Sequence, residues 1–235
     1  MSTEFYLIRQ CPNQNCNFRF PAPKNSGIGV NCPKCKSETL IIHEINLNHE
    51  ELYANNELHQ ANKLNIVLDN IRSTFNVGAI FRSADGVGIK KIHLCGITPS
   101  PTNPKVHKTS LGSEFTVNYE THLNTVSLIK SLKENGYIIW ALEKTSTSQS
   151  IFNYDISEFS QPTILVVGNE ITGVDPDVLK LCDAHLHIPM VGLKNSLNVA
   201  IAFGIAVYSL KKNNFASSGN GCGSCSGENC SSCHH

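Results

Sequence analysis

Thr163-Ile-Leu-Val-Val-Gly168-Asn169-Glu170-Ile171-Thr172-Gly173 is a short run of β-branched and apolar residues that passes directly into a glycine-flanked loop carrying a carboxylate. The run does not alternate apolar with polar residues, as a strand facing water on one side would. It has the composition of a strand covered on both faces, which is the situation in a parallel sheet layered between helices. Leu64 to Leu68, Lys91 to Leu94, Tyr137 to Leu142 and Leu186 to Ile188 have the same character. Helical patterns separate them at Asn76 to Gly86, Asn124 to Asn135 and Asn198 to Lys212. This alternation predicts an α/β domain with a parallel sheet over residues 64–212. Ligands of such sheets gather beyond the carboxyl ends of the strands, where Glu170 would stand.

Two further segments carry polar groups at strand ends. In Asn76-Val-Gly-Ala-Ile-Phe-Arg82, and on to Val87, the residues Val77, Ile80, Phe81, Ala84 and Val87 have the spacing of a buried helix face. Arg82 lies off that stripe, one turn beyond Gly78, and its side chain leans back toward a position without a side chain. That leaves space for a nucleotide; the plainer alternative is a solvated arginine on an amphipathic helix. Ile188-Pro-Met190-Val-Gly-Leu-Lys-Asn195-Ser196-Leu197-Asn198 leaves a strand and enters a strongly apolar helix. The free N–H groups at that helix start suit an anion, unless Asn195 or Ser196 serves only as an N-cap. Glu170, for its part, either has a role in the site or caps the short helix after Pro176 or pairs with a lysine.

Taken in order, N-x-G-x-x-x-R at 76–82, G-N-E at 168–170 and S-x-N at 196–198 preceded by Ile188-Pro189-Met190 resemble the three motifs of the SpoU (TrmH-like) branch of the SPOUT RNA methyltransferases. The resemblance covers residues 64–212. It implies a C-terminal trefoil knot, a homodimer, S-adenosylmethionine as cofactor, and methyl transfer to the 2'-hydroxyl of a ribose in tRNA or rRNA. By matching position it implies that Asn76, Arg82, Glu170, Ser196 and Asn198 are catalytic or position the substrate. The loops containing Leu142, Gly168, Ile188, Met190 and Leu197 would cradle the cofactor. A guanidinium stays protonated in nearly every protein environment, so Arg82 is better suited to bind a phosphate and the developing alkoxide than to act as a base. The rival functions are an RNA-binding protein whose methyltransferase fold is inactive, and a metal-handling protein. The intact motifs speak against the first, and a whole catalytic domain between the cysteine clusters speaks against the second.

The flanks differ from the centre. Cys11-Pro-Asn-Gln-Asn-Cys16 and Cys32-Pro-Lys-Cys35 are two cysteine turns with the spacing of a zinc ribbon, placed in residues 1–40. Phe18, Arg19 and Phe20 form either a stacking and phosphate-binding surface or a cover for the zinc core. Residues 41–63 are polar and acidic and read as a linker with one marginal helix. Residues 213–235 form a Gly/Ser-rich tail with Cys222, Cys225, Cys230 and Cys233, which either binds a second metal or has no fixed structure. His234 and His235, at its end, are either native or an expression remnant.

Lysine plus arginine balance aspartate plus glutamate at 19 each, so no broad basic field draws in nucleic acid. The count is +3 over residues 1–40 and −3 over 41–63, and a zinc tetrathiolate would reduce the first excess to +1. RNA affinity must come from local patches. The longest apolar stretch, Val199 to Leu210, falls short of the roughly 18 to 20 residues that span a bilayer. Residues 1–16 lack the layout of a secretory signal, so the expectation is a cytoplasmic protein with reduced thiols.

Overall fold

The computed structural model describes residues 4–47 and 63–213, which belong to two compact units. The N-terminal unit is a three-stranded antiparallel sheet with β1 (Glu4–Gln10) between β2 (Arg19–Pro23) and β3 (Leu40–Leu47). Segment 41–47, expected to begin a linker, is therefore a strand. Its Ile-Ile-His-Glu-Ile-Asn-Leu composition favours extended chain over helix. The marginal helix expected further along and the cysteine tail lie outside the described residues. Leu7, Ala22, Cys11 and Cys32 are buried, and Arg9 runs through this small core to donate to Thr39 Oγ1 at 2.9 Å. Gly29 sits at φ +86°, and a Cβ there would stand 2.8 Å from the Phe20 ring, so only glycine fits both the backbone and the packing.

The larger unit has seven parallel strands in the order β6-β5-β4-β9-β7-β10-β8. They are β4 (Leu64–Asp69), β5 (Lys91–Cys95), β6 (Asn118–His122), β7 (Ile138–Leu142), β8 (Gln149–Ser150), β9 (Thr163–Val167) and β10 (Ala184–His187). The α/β expectation holds, and so does its basis: all five residues of β9 are buried. Neighbouring residues of β4 serve opposite faces, Ile66 and Leu68 packing with Phe81, Trp140 and Phe203, and Val67 with Ile129, Ile139 and Val178. The first face is covered by α1 (Thr74–Gly86) and α5 (Val199–Leu210), and the second by α3 (Thr125–Glu134) and α4 (Pro176–Leu179). A fifth helix, α2 (Pro104–Ser110), packs on α1. Along α1 and its C-cap the expected stripe Val77, Ile80, Phe81, Ala84 and Val87 is buried throughout.

Candidate active site

Glu170 leaves the carboxyl end of β9 and reaches the start of α1, almost a hundred residues earlier in the chain. Its Oε2 accepts the Arg72 N–H at 2.9 Å, and its Oε1 accepts the Ser73 N–H at 3.0 Å and Asn76 Nδ2 at 2.9 Å. Glu170 thus supplies acceptors to free N–H groups at a helix N-terminus, where a negative charge is also favoured by the helix dipole. It does not cap the short helix α4, whose cap is Asp175. Burial alone would raise the Glu170 pKa, but the donors from Arg72, Asn76 and Ser73 together hold it below the ordinary carboxylate range.

The network continues into the third segment. Asn76 Oδ1 accepts from Asn198 Nδ2 at 3.1 Å, while Asn198 Oδ1 accepts the Ala200 and Ile201 N–H groups at 2.9 and 3.3 Å. The orientation of both amides is fixed by this chain, because a carboxylate at one end can only accept and helix N–H groups at the other can only donate. Asn198, and neither Asn195 nor Ser196, is the N-cap of α5. The three segments separated along the sequence are therefore joined as Glu170, Asn76 and Asn198.

Beside this chain of contacts lies a cavity of about 330 Å³ at the carboxyl ends of β7, β9 and β10. Leu142, Gly168, Ile188, Met190 and Leu197 all line it, together with Glu170, Ser196 and Asn198. Its floor depends on a tight loop. Asn169 and Gly173 exchange two backbone hydrogen bonds of 3.0 Å, and a Cβ on Gly168 would stand 2.2 Å from the Gly173 carbonyl carbon and the Val174 nitrogen. Asn169 locks the loop further, donating to the Asn70 carbonyl at 2.6 Å and accepting the Ile171 and Thr172 N–H groups. Glu143, which also lines the cavity, packs against the end of this loop and accepts the Val174 N–H at 3.1 Å.

Arg82 stands apart. It is exposed, and no side-chain hydrogen bond or ion pair links it to any described residue. The space expected over Gly78 is filled: a Cβ there would meet Thr109 Oγ1 at 1.9 Å and the Ser110 nitrogen at 2.9 Å. Gly78 is a helix-packing glycine that lets α2 approach α1, and leaves no room for a nucleotide.

In the N-terminal unit the sulfurs of Cys11, Cys16, Cys32 and Cys35 all lie within 4.8 Å of one another, with Cys11 to Cys35 at 3.3 Å and Cys16 to Cys32 at 3.7 Å. Ligands about 2.3 Å from a tetrahedral zinc are separated by roughly 3.8 Å, so the four thiols fit such an ion. The Ser37 hydroxyl and N–H hold the Cys35 thiol down to about 6, whereas burial pushes the Cys11 thiol up to about 12. The Phe18 and Phe20 rings stack at 5.3 Å, and Lys34 Nζ lies 4.9 Å from the Phe18 centroid. Both rings are half-buried.

Residues 63–208 match the SpoU rRNA Methylase family model. The chain belongs to the SpoU rRNA methylase family. A curated relative, the tRNA (guanosine(18)-2'-O)-methyltransferase of Aquifex aeolicus, is 33% identical over 63% of this chain and 68% of its own length. The Escherichia coli K12 enzyme of the same name is 29% identical over 63% of each chain. Among solved structures, the AdoMet-bound rRNA methyltransferase of Sinorhizobium meliloti is 29% identical with a TM-score of 0.60, covering 66% of this chain and 57% of that one. The Aquifex aeolicus TrmH/SpoU tRNA modifying enzyme is 30% identical with a TM-score of 0.59, covering 67% of this chain and 78% of that one. This SpoU-family domain is thus a methyltransferase domain. Sequence reasoning on it overlooked Asn169 and Glu143 as loop-holding residues. Asn169 was visible inside the G-N-E run, whereas Glu143 follows an ordinary strand end and carries no local signal.

Proposed function

We propose that this protein transfers a methyl group from S-adenosylmethionine to the 2'-hydroxyl of a ribose in tRNA or rRNA. The observation that carries this is the hydrogen-bonded series Glu170–Asn76–Asn198, which ties all three motifs together at the mouth of the cavity. The cavity volume falls at the lower end of the roughly 300 to 1,000 Å³ usual for small-molecule sites. Its apolar walls at Leu142, Ile188, Met190 and Leu197 suit a purine and a thioether chain, and its carboxylates, Glu143 and Glu170, suit a cation. When bound, S-adenosylmethionine supplies an electrophilic methyl on a positively charged sulfur.

The residues of this chain then have separable tasks. Leu142, Gly168, Ile188, Met190 and Leu197 hold the cofactor, with the Gly168–Gly173 loop fixing one wall. Glu170, Asn76 and Asn198 keep the start of α1, the β9 loop and the start of α5 in register, so that ribose and cofactor are held for in-line attack. Ser196, on the cavity wall, is placed to hydrogen-bond the incoming nucleotide. Arg82, exposed and without an ion-pair partner, is free to bind the phosphate beside the target ribose and to stabilise the developing alkoxide. The hydroxyl proton leaves to water.

The same proposal includes a C-terminal trefoil knot, supported by the insertion of β9 between β4 and β7 with β10 beyond β7. It includes a homodimer. Helix α5 is apolar on all sides, and Ile201, Ile205 and Tyr208, at successive turns, are 57%, 36% and 49% exposed. Such a stripe is covered when two copies meet about a two-fold axis. It also includes a structural zinc in the four-cysteine cluster. Among the described residues no helix is long and apolar enough to cross a membrane, and an RNA substrate agrees with residence in the cytoplasm.

Incubation with labelled S-adenosylmethionine and total RNA, followed by mapping of the labelled nucleotide, tests the activity. A 2'-O-methylated ribose is expected. Calorimetric binding of the cofactor with no transfer to any RNA would favour the RNA-binding protein with an inactive fold, and absence of cofactor binding would overturn the proposal. For the dimer, sedimentation at low micromolar concentration should give twice the chain mass, and Ile205→Asp should shift it to monomer. A fully active wild-type monomer would remove that part.

A further inference from the structure

At the β5–β6 edge of the sheet, far along the strand order from the cofactor cavity, three ligand-type side chains converge. His93 on β5 and Glu120 and His122 on β6 project from the same sheet face, as residues two apart on a strand and paired across it must. His93 Nδ1 lies 2.9 Å from His122 Nε2, and Glu120 Oε2 lies 3.7 Å from the first and 3.8 Å from the second. The three sides average about 3.5 Å, close to the roughly 3.3 Å that separates tetrahedral nitrogen or oxygen ligands held about 2.0 Å from zinc. From this geometry we infer that His93, Glu120 and His122 bind a divalent ion of the zinc class, pinning the edge strand β6 to β5.

The surroundings support that assignment. His93 is 4% exposed, so its ring is held in place by the packing around it, beside the two β6 side chains. Lys91 Nζ holds Glu120 Oε1 at 2.8 Å and leaves Oε2 facing the two rings. A lysine that orients a ligating carboxylate also opposes the cation, and the deficit is met by the carboxylate together with two good nitrogen donors. Two imidazoles and one carboxylate select zinc over magnesium or calcium, and they leave a fourth position for water or a small anion. This site is independent of the methyl-transfer proposal and of the four-cysteine cluster.

The test is nuclear magnetic resonance of the histidine ring nitrogens in the full-length chain during titration with Zn²⁺. After the thiol sites are filled, one further equivalent should shift His93 Nδ1 and His122 Nε2 together. The Glu120→Gln and His122→Asn variants alter half-exposed or exposed side chains, and each should weaken or abolish the His93 shift while melting near the wild-type temperature. His93→Gln changes a buried ring, and its failure to fold would leave the other two variants decisive. Ring signals unmoved in large excess of Zn²⁺, a shift of His122 alone, or an undiminished His93 shift in both surface variants would each overturn the site.

Discussion

Among the described side chains of residues 5–46 the buried apolar or thiol ones are Leu7, Cys11, Ala22 and Cys32, whereas in the larger unit the single strand β9 buries all five of its residues. The first unit has too little apolar surface to offset the entropy of ordering its chain, and its four sulfurs gather at one point. The second distributes its stability over two cores, one on each face of a seven-stranded sheet. A unit of the first kind fails all at once when its centre is lost. One of the second kind tolerates changes at its functional edge, because those residues stand outside the packing that holds it.

The most severe way to break this contrast is to take away the zinc proposed for the four-cysteine cluster. Removing zinc with a chelator, or Cys32→Ser with Cys35→Ser, should unfold the three-stranded sheet, since structural zinc in small modules contributes on the order of 10 kcal/mol to folding. Amide exchange should become fast in Glu4–Gln10 and Arg19–Pro23 while β9 keeps its protection. Metal analysis of untreated protein should find at least one zinc per chain. A ribbon that stays protected without metal would show that its sheet is held by contacts other than the four thiols.

Arg82 probes the opposite pole, a group with a proposed role in catalysis whose exposed side chain the larger unit does not need for its fold. Arg82→Ala should leave the melting temperature and cofactor affinity close to wild type, because the side chain is exposed and no described residue pairs with it. Single-turnover methylation should nonetheless lose about 3 to 4 kcal/mol of transition-state stabilisation, the scale of one preorganised oxyanion donor. Arg82→Lys should recover little, since an ammonium cannot bridge phosphate and hydroxyl with a planar fork. Near-normal turnover in Arg82→Ala would remove Arg82 from the substrate side of the site.

How far each unit was legible in the sequence follows the same division. The buried strands announced themselves because both their faces are apolar, and the α1 stripe because its period is that of a helix. Strand β6, Asn-Tyr-Glu-Thr-His, was overlooked because an edge strand needs little apolar character, and with it went the convergence of Glu120 and His122 on His93. Strand β3 was hidden by the acidic, asparagine-rich chain that follows it. At the site, Asn76 is 94 residues from Glu170 and 122 from Asn198, and no local pattern encodes contacts at that range. The motif resemblance drew these residues into one set. The network that joins them, the bonds from the Arg72 and Ser73 N–H groups ahead of α1 to Glu170 and the occupation of the Gly78 space by Thr109 required coordinates.

The smallest expected effect asks how much of the larger unit is held electrostatically at its functional edge. Glu170→Gln keeps the shape but removes the charge, and it turns an amide NH₂ toward the N–H donors of Arg72 or Ser73. Because Glu170 is exposed, solvent screening limits the cost at neutral pH to about 1 kcal/mol. The sign of the pH dependence follows from the depressed carboxyl pKa in the folded protein. Such a group binds its proton more readily when unfolded, so its contribution is complete above the ordinary carboxylate pKa and is lost as pH falls through the lower, folded value. Thermal melts of wild type and Glu170→Gln should therefore differ most near neutral pH and converge in acid. A gap that persists below the folded pKa would mean that the Arg72, Ser73 and Asn76 donors hold Glu170 through geometry alone, and that its charge contributes nothing to joining the first two motifs.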